Sequence, residues 1–341
     1  MLDKAPTAQG TTFEAGIPLI KPPQGMRYGL RSASRTPVKV SAPPSRSLDE
    51  STPALQTSKG TRVTTSNYFT APKPSPLKPK SPRPPRNTVS ALQFPTLTAT
   101  RFGLTQEKLA DDPLRLMIAI SFLVRTPGRI SVPVFQGLVD KYPTPQALAE
   151  ADPENIIAMI KHLGLSIVRT AQIQKYARIW IESPPSKDIR YGVKNYPNRG
   201  DGSDVRAGER LPPEEEDPRA SAWEIGHMTQ GPYAIDSWRI FCRDVLLGRA
   251  QDWRGKGREA GFQPEWMRVL PLDKELRAYL RWMWMGEGWD WDPKTGEREP
   301  LSDELRTAVN EGRVQWDNTG ALQIVGATAV AHAQFEGAHA S

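Results

Sequence analysis

The chain has 341 residues, a formal net charge of +7 and one cysteine, and this length allows one or two domains. A single cysteine excludes both an internal disulfide and a four-cysteine iron–sulfur cluster. No apolar run is long enough to span a membrane, and the N-terminus has no signal-peptide core, so we expect no membrane partner.

The positive charge is concentrated near the N-terminus. Residues 1–95 contain 14 Lys/Arg against 4 Asp/Glu, a balance of +10, whereas the rest of the chain has a balance of −3. The same stretch holds 16 of the 33 prolines and shows no apolar period, so we predict a disordered tail over residues 1–98. Its Lys- and Pro-rich run, residues 72–86, is interpreted either as a nuclear-import signal or DNA tether, or as a solubilising linker.

Helical periodicity starts near residue 105. Capping residues and prolines at the first helical position predict successive helix starts at Asp112–Pro113, Pro133, Thr144–Pro145, Asp152–Pro153 and Ser166. The helix from Pro133 should end near Lys141, the helix from Asp152 should reach a C-cap at Gly164, and the helix from Ser166 should run to about Glu182.

Two stretches interrupt this pattern. Residues 184–220 combine prolines, glycines and an acidic run, which predicts an inserted loop that faces away from any polyanion. Helical signals return at Ala222–Ile225. Residues 247–261 place basic side chains around Trp253, and we interpret them as a solvated surface loop, with contact to a DNA backbone as the alternative.

The segment Gly231–Cys242 is the most informative part of the chain. A glycine-ended turn leads into Ile235, Trp238 and Cys242 at helical spacing, which predicts a helix from Pro232. Backbone N–H groups at such a helix start form a small positive site that can hold a phosphate.

A second capped helix start follows at Val269–Leu276, where the carboxylate of Asp273 stands at the cap. A last helix is predicted over Ser302–Glu311 and a flexible tail from Asn318, and no stretch shows strand-like alternation. The late tryptophans should fill the core between helices, with a base-stacking platform as the alternative; they are Trp266, Trp282, Trp284, Trp289 and Trp291.

Taken in order, these motifs resemble the helix-hairpin-helix DNA glycosylases of the endonuclease III-like fold. Within them the chain is most similar to the mismatch thymine/uracil glycosylase domain of the methyl-CpG-binding-domain proteins, in the fungal form without the methyl-binding domain. The matching motifs cover most of residues 101–290 and are Gln106–Glu107, Asp112–Leu116, Phe122–Thr126, Tyr142–Pro145, Leu163–Leu165, Tyr233–Cys242 and Leu270–Trp284.

The resemblance implies an all-α fold with two helical lobes, a DNA cleft and no iron–sulfur cluster. The glycosylase domain would cover residues 99–295, with the insertions 184–220 and 247–261, and residues 296–341 would form a C-terminal helix and a flexible tail. It also implies a nuclear, monomeric protein.

Three residues would form the catalytic site by resemblance. Asp273 would stabilise the oxocarbenium-like sugar and orient water. The alternative is that Asp273 is an ordinary N-cap. Asp236 is the other candidate for the catalytic carboxylate, but its position on the helix of the hairpin motif favours a structural role. Tyr233 stands where strand-nicking relatives carry a lysine, which implies a monofunctional enzyme with the tyrosine in the base pocket; the alternative is an anchor for the helix start. Gln106 would read the Watson–Crick edge of the base, or would be a surface glutamine.

The resemblance also assigns DNA contacts. Arg125 would be the wedge that fills the gap left by a flipped base, or else a capping arginine. The loop Leu163, Gly164 and Leu165 would press on the opposite strand and the orphaned guanine, or would be a helix C-cap with core leucines.

The hairpin Thr229, Gln230 and Gly231 would bind a DNA phosphate. Thr229 replaces a family glycine, and its Cβ is expected to strain a turn that needs a positive φ. No metal-ligand spacing is present, so the only expected cofactor is a monovalent cation held by hairpin carbonyls, by analogy alone.

The expected reaction is hydrolytic removal of thymine or uracil mispaired with guanine in double-stranded DNA, leaving an abasic site for downstream repair enzymes. Two alternatives stay open. One is a non-catalytic protein that recognises mismatched or bent DNA, and the other is specificity for a different base, such as adenine or an alkylated purine.

Overall fold

The computed structural model describes residues 88–206, 209–211 and 221–326, and these residues are mostly helical. The Lys- and Pro-rich run 72–86 lies outside them. Residues 88–98, predicted as the end of the tail, pack against the folded part: the backbone N–H of Ala91 donates to Glu275, and Phe94 is buried. No helix within the described ranges is long and apolar enough to cross a membrane.

Five helices form the first half of the structure. Four of their starts agree with the predictions. Asp112, Thr144 and Asp152 each cap the following helix with a side-chain oxygen and are each followed by a proline, and the fifth helix begins at Ser166. Helix α1 is buried almost all round and packs against α2 and α5. The bounds are α1 Pro113–Leu123, α2 Gly128–Lys141, α3 Pro145–Glu150, α4 Pro153–Ile160 and α5 Ser166–Glu182.

Two predicted helix boundaries in this half are wrong, namely the start of α2 and the end of α4. Helix α2 begins at Gly128 and carries Pro133 in its interior. Pro127 is the N-cap residue, and the additional first turn buries Ser131 completely. The tertiary packing offsets the hydrogen bond that an internal proline removes. Helix α4 ends at Ile160, and a 3₁₀ turn over residues 161–163 completes the path to Gly164.

Four helices follow in the second half, and three of their starts were predicted. Asp273 and Ser302 cap their helices through side-chain oxygens, and Pro232 is the first residue of its helix. The bounds are α6 Pro232–Phe241, α7 Arg243–Leu246, α8 Lys274–Gly286 and α9 Asp303–Asn310.

Short antiparallel strands are present, contrary to the prediction. A run of two or three residues is too short to show a period of two in the sequence, so their pairing depends on tertiary contacts. The helix predicted at 222–225 is a strand followed by turns, and the tail predicted from Asn318 contains a strand. The sheets are β2–β1–β3, β4–β5 and β6–β7, with bounds β1 Arg190–Gly192, β2 Arg210–Leu211, β3 Ala222–Trp223, β4 Trp289–Trp291, β5 Arg298–Pro300, β6 Val314–Trp316 and β7 Leu322–Ile324.

One hydrophobic core joins both halves, and the predicted insertions contribute to it. Val193 and Tyr196 of the first insertion are buried. Trp253 of the second packs on the core and donates its indole N–H to Tyr279, so the surface-loop interpretation of 247–261 is wrong at this residue. The core-filling prediction is confirmed for four late tryptophans, whereas Trp289 is 36% exposed.

A buried ion network ties the first insertion to helices α6 and α7. Glu224 is fully buried, and its Oε1 lies 3.0 Å from the Nε of Arg190 and 3.1 Å from the Nε of Arg243. Its Oε2 accepts a hydrogen bond from the indole of Trp238 at 3.2 Å. Glu265 extends the network by pairing with Arg243 at 3.0 Å. The network therefore fixes β1 and the turn after β3 against the helix that starts at Pro232.

Candidate active site

The carboxylate of Asp273 is held at the start of helix α8. Its Oδ1 accepts hydrogen bonds from the backbone N–H groups of Glu275 and Leu276 at 2.9 and 3.1 Å. The other oxygen, Oδ2, has no hydrogen-bond partner in the part of the chain that the structure describes. Burial raises the pKa of Asp273 against the opposing effect of the two backbone donors. The residue thus combines a fixed position with one oxygen available to a reactant.

Gln106 and Tyr233 lie together, and Tyr233 is close enough to Asp273 to feel its charge. The amide Nε2 of Gln106 donates to the Tyr233 hydroxyl at 2.9 Å, and Gln106 is only 2% exposed, so the surface-glutamine alternative is wrong. Burial raises the pKa of Tyr233, and the negative charge of nearby Asp273 raises it further. Three predicted site residues from three distant segments therefore converge.

The position of Gln106 is fixed by its neighbour. The carboxylate of Glu107 accepts hydrogen bonds from the backbone N–H groups of Phe102, Gly103 and Leu104. This cap holds the 3₁₀ turn over residues 106–108 against helix α6. The sequence shows Glu107 next to Gln106, but nothing in the pattern indicates which backbone groups the carboxylate binds.

A second carboxylate, that of Asp236, lies close enough to Asp273 for the two charges to interact. Asp236 is 4% exposed and accepts a hydrogen bond at 2.7 Å from the hydroxyl of Tyr196, which in turn accepts one from Arg239 at 3.0 Å. Burial raises the pKa of Asp236 to about 6, and the charge of Asp273 contributes to the rise. Sequence reasoning missed Tyr196 because it lies in the stretch interpreted as an inserted loop.

The two predicted wedge segments, residues 124–126 and 163–165, are here called the wedge loops. Arg125 is exposed with φ +59°, and Leu165 is 49% exposed with φ +54°. Such left-handed backbone is uncommon for non-glycine residues and costs on the order of 1–2 kcal/mol each. Gly164 has φ +74°, which glycine adopts without strain, and Leu163 packs partly against the core.

Exposed apolar side chains concentrate around the wedge loops and Asp273. Eleven large hydrophobic residues are exposed in the described ranges, and seven of them lie within four residues, along the sequence, of a wedge loop or of Asp273. Scattered exposed leucines need no explanation, but a group of them in functional segments is typical of an interaction surface. The seven are Val124, Ile130, Leu165, Ile167, Val168, Leu270 and Leu272.

The hairpin before helix α6 differs from the expectation. Thr229 is buried and does not have a positive φ, and Gly231 has φ −82°, so the predicted backbone strain does not occur. The hydroxyl of Thr229 instead accepts a hydrogen bond from the backbone N–H of Gly231 at 3.2 Å. The side chain of Gln230 turns toward strand β1, where it donates to the carbonyl of Gly192. One hairpin donor is therefore already occupied.

A cationic side chain also contacts this hairpin. The ammonium of Lys175 donates to the carbonyl of Met228 at 2.9 Å.

Within the described ranges, no group of three or more His, Cys, Asp or Glu residues could hold a metal ion. A comparison of the sequence with the models of known protein families finds no match. The chemistry of the site is therefore inferred from its own residues.

Proposed function

We propose that the protein is a monofunctional DNA glycosylase of the helix-hairpin-helix type that removes thymine or uracil mispaired with guanine. The observation that supports this most is the proximity of Asp273, Tyr233 and Gln106, with Oδ2 of the carboxylate bonded to none of the residues that the structure describes. In this proposal helices α1–α5 and the later helices form two lobes, with double-stranded DNA in the cleft between them. The protein acts as a nuclear monomer.

Asp273 supplies the chemistry. Loss of the base leaves positive charge on the deoxyribose, and the carboxylate stabilises that charge and orients water through Oδ2 while Oδ1 stays bound to helix α8. Tyr233 has no amine and forms no Schiff base with the sugar, so the reaction stops at the abasic site. Downstream repair enzymes then process that site.

Base recognition requires a local rearrangement. An amide offers both a donor and an acceptor, which matches the edge of thymine or uracil. Because Gln106 is buried and donates to Tyr233, an incoming base replaces the tyrosine hydroxyl as its partner. Extruding the base costs a few kcal/mol and least for a mismatched pair, while Arg125 fills the space it leaves and Leu165 presses on the orphaned guanine.

The direct test is base release from a labelled duplex that carries a single G·T or G·U mismatch, analysed with and without alkali. We expect strand breakage only after alkali. Breakage without alkali would contradict the monofunctional assignment of Tyr233. Substrates with adenine or an alkylated purine in place of the mismatched pyrimidine test the other base specificities.

Gln106→Ala is expected to reduce the rate of base release by about 10- to 100-fold, the effect of removing hydrogen bonds worth roughly 1–3 kcal/mol in a buried site. The matched control is Gln136→Ala, which removes an exposed glutamine whose side chain donates to Asp140 on the surface. Single-turnover kinetics on the G·U duplex would measure both, with thermal unfolding followed in parallel. Equal rates for the two variants would show that Gln106 does not contact the base.

The pH dependence should report the raised pKa of Asp273. The carboxylate acts when ionised, so base release should be lost as the pH falls, at a pH above the ordinary aspartate value of about 3.9. Asp236, whose pKa is about 6, is the competing source of such a limb. In Asp236→Asn we expect the acidic limb to persist near its original pH, because the charge of Asp273 raises the pKa of Asp236 and Asp236 is therefore already neutral at the lower pH where Asp273 titrates. Its disappearance from the profile of kcat/KM would assign the limb to Asp236.

A second candidate function is a non-catalytic reader of mismatched DNA. The altered hairpin would fit lost turnover, since the N–H of Gly231 donates to Thr229 and is not free to position a phosphate of the substrate. The mismatch assay separates the two functions. Tight, mismatch-dependent binding with no base release at any pH would support the reader, whereas turnover would exclude it.

A further inference from the structure

Arg169 lies beneath both wedge loops and uses every donor it has. It is 3% exposed, and each of its five N–H groups has an acceptor within hydrogen-bond distance. Nε donates to the carbonyl of Ser121 at 3.1 Å, Nη1 to the carbonyls of Leu163 and Gly164 at 3.2 and 2.8 Å, and Nη2 to the carbonyl of Val124 and the hydroxyl of Thr126 at 2.8 and 2.5 Å.

The chemistry of these acceptors is unusual for a buried charge. Buried charges are ordinarily paired with an opposite charge, yet no carboxylate forms an ion pair with Arg169 among the described residues. Four backbone carbonyls and one hydroxyl solvate the guanidinium instead, and burial lowers its pKa. An aliphatic residue would fill this volume without a desolvation cost, so packing alone does not explain an arginine here.

The acceptors flank the two strained residues of the wedge loops. Val124 and Thr126 stand on either side of Arg125, and Leu163 and Gly164 come directly before Leu165. Arg125 and Leu165 both have positive φ. The two loops are about 40 residues apart in the sequence, and one planar guanidinium joins them.

We propose that Arg169 is a positioning residue that locks the two wedge loops into one rigid unit, so that Arg125 and Leu165 enter the duplex together. This inference depends on the proposed function. The planar fork of the guanidinium fixes both loops at a set separation and holds the left-handed backbone of each. A wedge must oppose a base stack that would otherwise close, and a rigid pair of loops does so at a smaller entropic cost than two mobile ones.

The lock should matter for base release from duplex DNA and not for base release from single-stranded DNA. Removing the lock weakens the step in which a base leaves the duplex, and it leaves the chemistry at Asp273 unchanged. Single-stranded DNA needs no wedge, because its bases are already unpaired. Loss of Arg169 should therefore affect duplex and single-stranded substrates differently.

The test compares Arg169→Ala and Arg169→Lys with the matched control Arg178→Ala, an exposed arginine on the same helix α5. Uracil release is measured on a G·U duplex and on the same strand alone. We expect the duplex kcat/KM of Arg169→Ala to fall about 100-fold, the cost of a misplacement of about 1 Å, with the single-strand value within about 3-fold of wild type. Added guanidinium at millimolar concentration should restore part of the duplex activity.

Arg169→Lys keeps the charge and tests the geometry. An ammonium has three donors at one point and cannot span both loops, so we expect a loss close to that of alanine. Equal losses on duplex and single-stranded DNA would overturn the proposal, because they would indicate general damage to the fold.

Amide hydrogen exchange of residues 124–128 and 163–168 provides a readout that needs no activity. Exchange in both segments should rise in Arg169→Ala and stay unchanged in Arg178→Ala. Unchanged exchange in Arg169→Ala would refute the lock even if activity fell. If wild type released no base while exchange rose in both loops, the proposed function would fail and the link between the loops would stand.

Discussion

Asp273→Asn is expected to lower the rate of base release from a G·T or G·U duplex by about 10²–10³-fold or more, while the protein stays folded. The loss follows from removing the negative charge that stabilises the cationic sugar in a partly buried site. Asparagine keeps an oxygen that can accept the hydrogen bonds of Glu275 and Leu276, so the cap of helix α8 survives. Alanine would confuse the two effects, because it removes the charge and the cap together.

The matched control for this variant is Asp152→Asn. Asp152 caps helix α4 in the same manner, by accepting from the backbone N–H of Glu154, and it lies outside the candidate site. Base release after alkali, binding of the mismatched duplex and thermal unfolding should be measured for both variants. Asp152→Asn should match wild type in all three assays, and Asp273→Asn should lose only base release.

Two outcomes would change the proposal. If Asp273→Asn and wild type release thymine or uracil at the same rate, catalysis through Asp273 is wrong, and the residue is an N-cap. If neither releases a base but both bind the mismatch, the non-catalytic reader is the better description.

Glu224→Gln is expected to reduce the free energy of unfolding by about 3–5 kcal/mol, because it removes one of the buried carboxylates that offset the guanidinium charges of the network. Glu224 is fully buried and contacts both Arg190 and Arg243. Glutamine has the same shape and can still accept the hydrogen bond of the Trp238 indole, so the loss reports the charge and not the volume. Urea unfolding at neutral pH measures it.

The matched control is Glu311→Gln, which removes a more exposed ion pair with Arg313. Pairs exposed to solvent contribute roughly 0–1 kcal/mol, so this variant should unfold close to wild type. A loss below about 1 kcal/mol for Glu224→Gln would show that the attraction between the charges of the network only offsets the free-energy cost of removing them from water. The expected loss would instead show that the first insertion is part of the folded body that supports helix α6.

Packing decided several features that local pattern could not. Pro133 looked like a helix start, yet α2 begins five residues earlier at Gly128, and Ser131 in the added turn is fully buried. The stretch 184–220 looked like a loop, yet Tyr196 reaches from it to Asp236. The Thr229 substitution looked strained, yet its hydroxyl binds the N–H of Gly231. In each case the outcome depends on a contact with another segment or on the exact path of the turn, and neither can be read from the local sequence.

The sequence by itself determined the helix starts at Asp112, Thr144, Asp152 and Asp273, because a cap is a local event in which a side chain binds an N–H two or three residues later. Only the tertiary structure placed Gln106 against Tyr233, 127 residues further along the chain. The same holds for the link that Arg169 makes between the wedge loops. Local capping is encoded within one turn of backbone, whereas the candidate site exists only after distant segments have buried their apolar faces against one another.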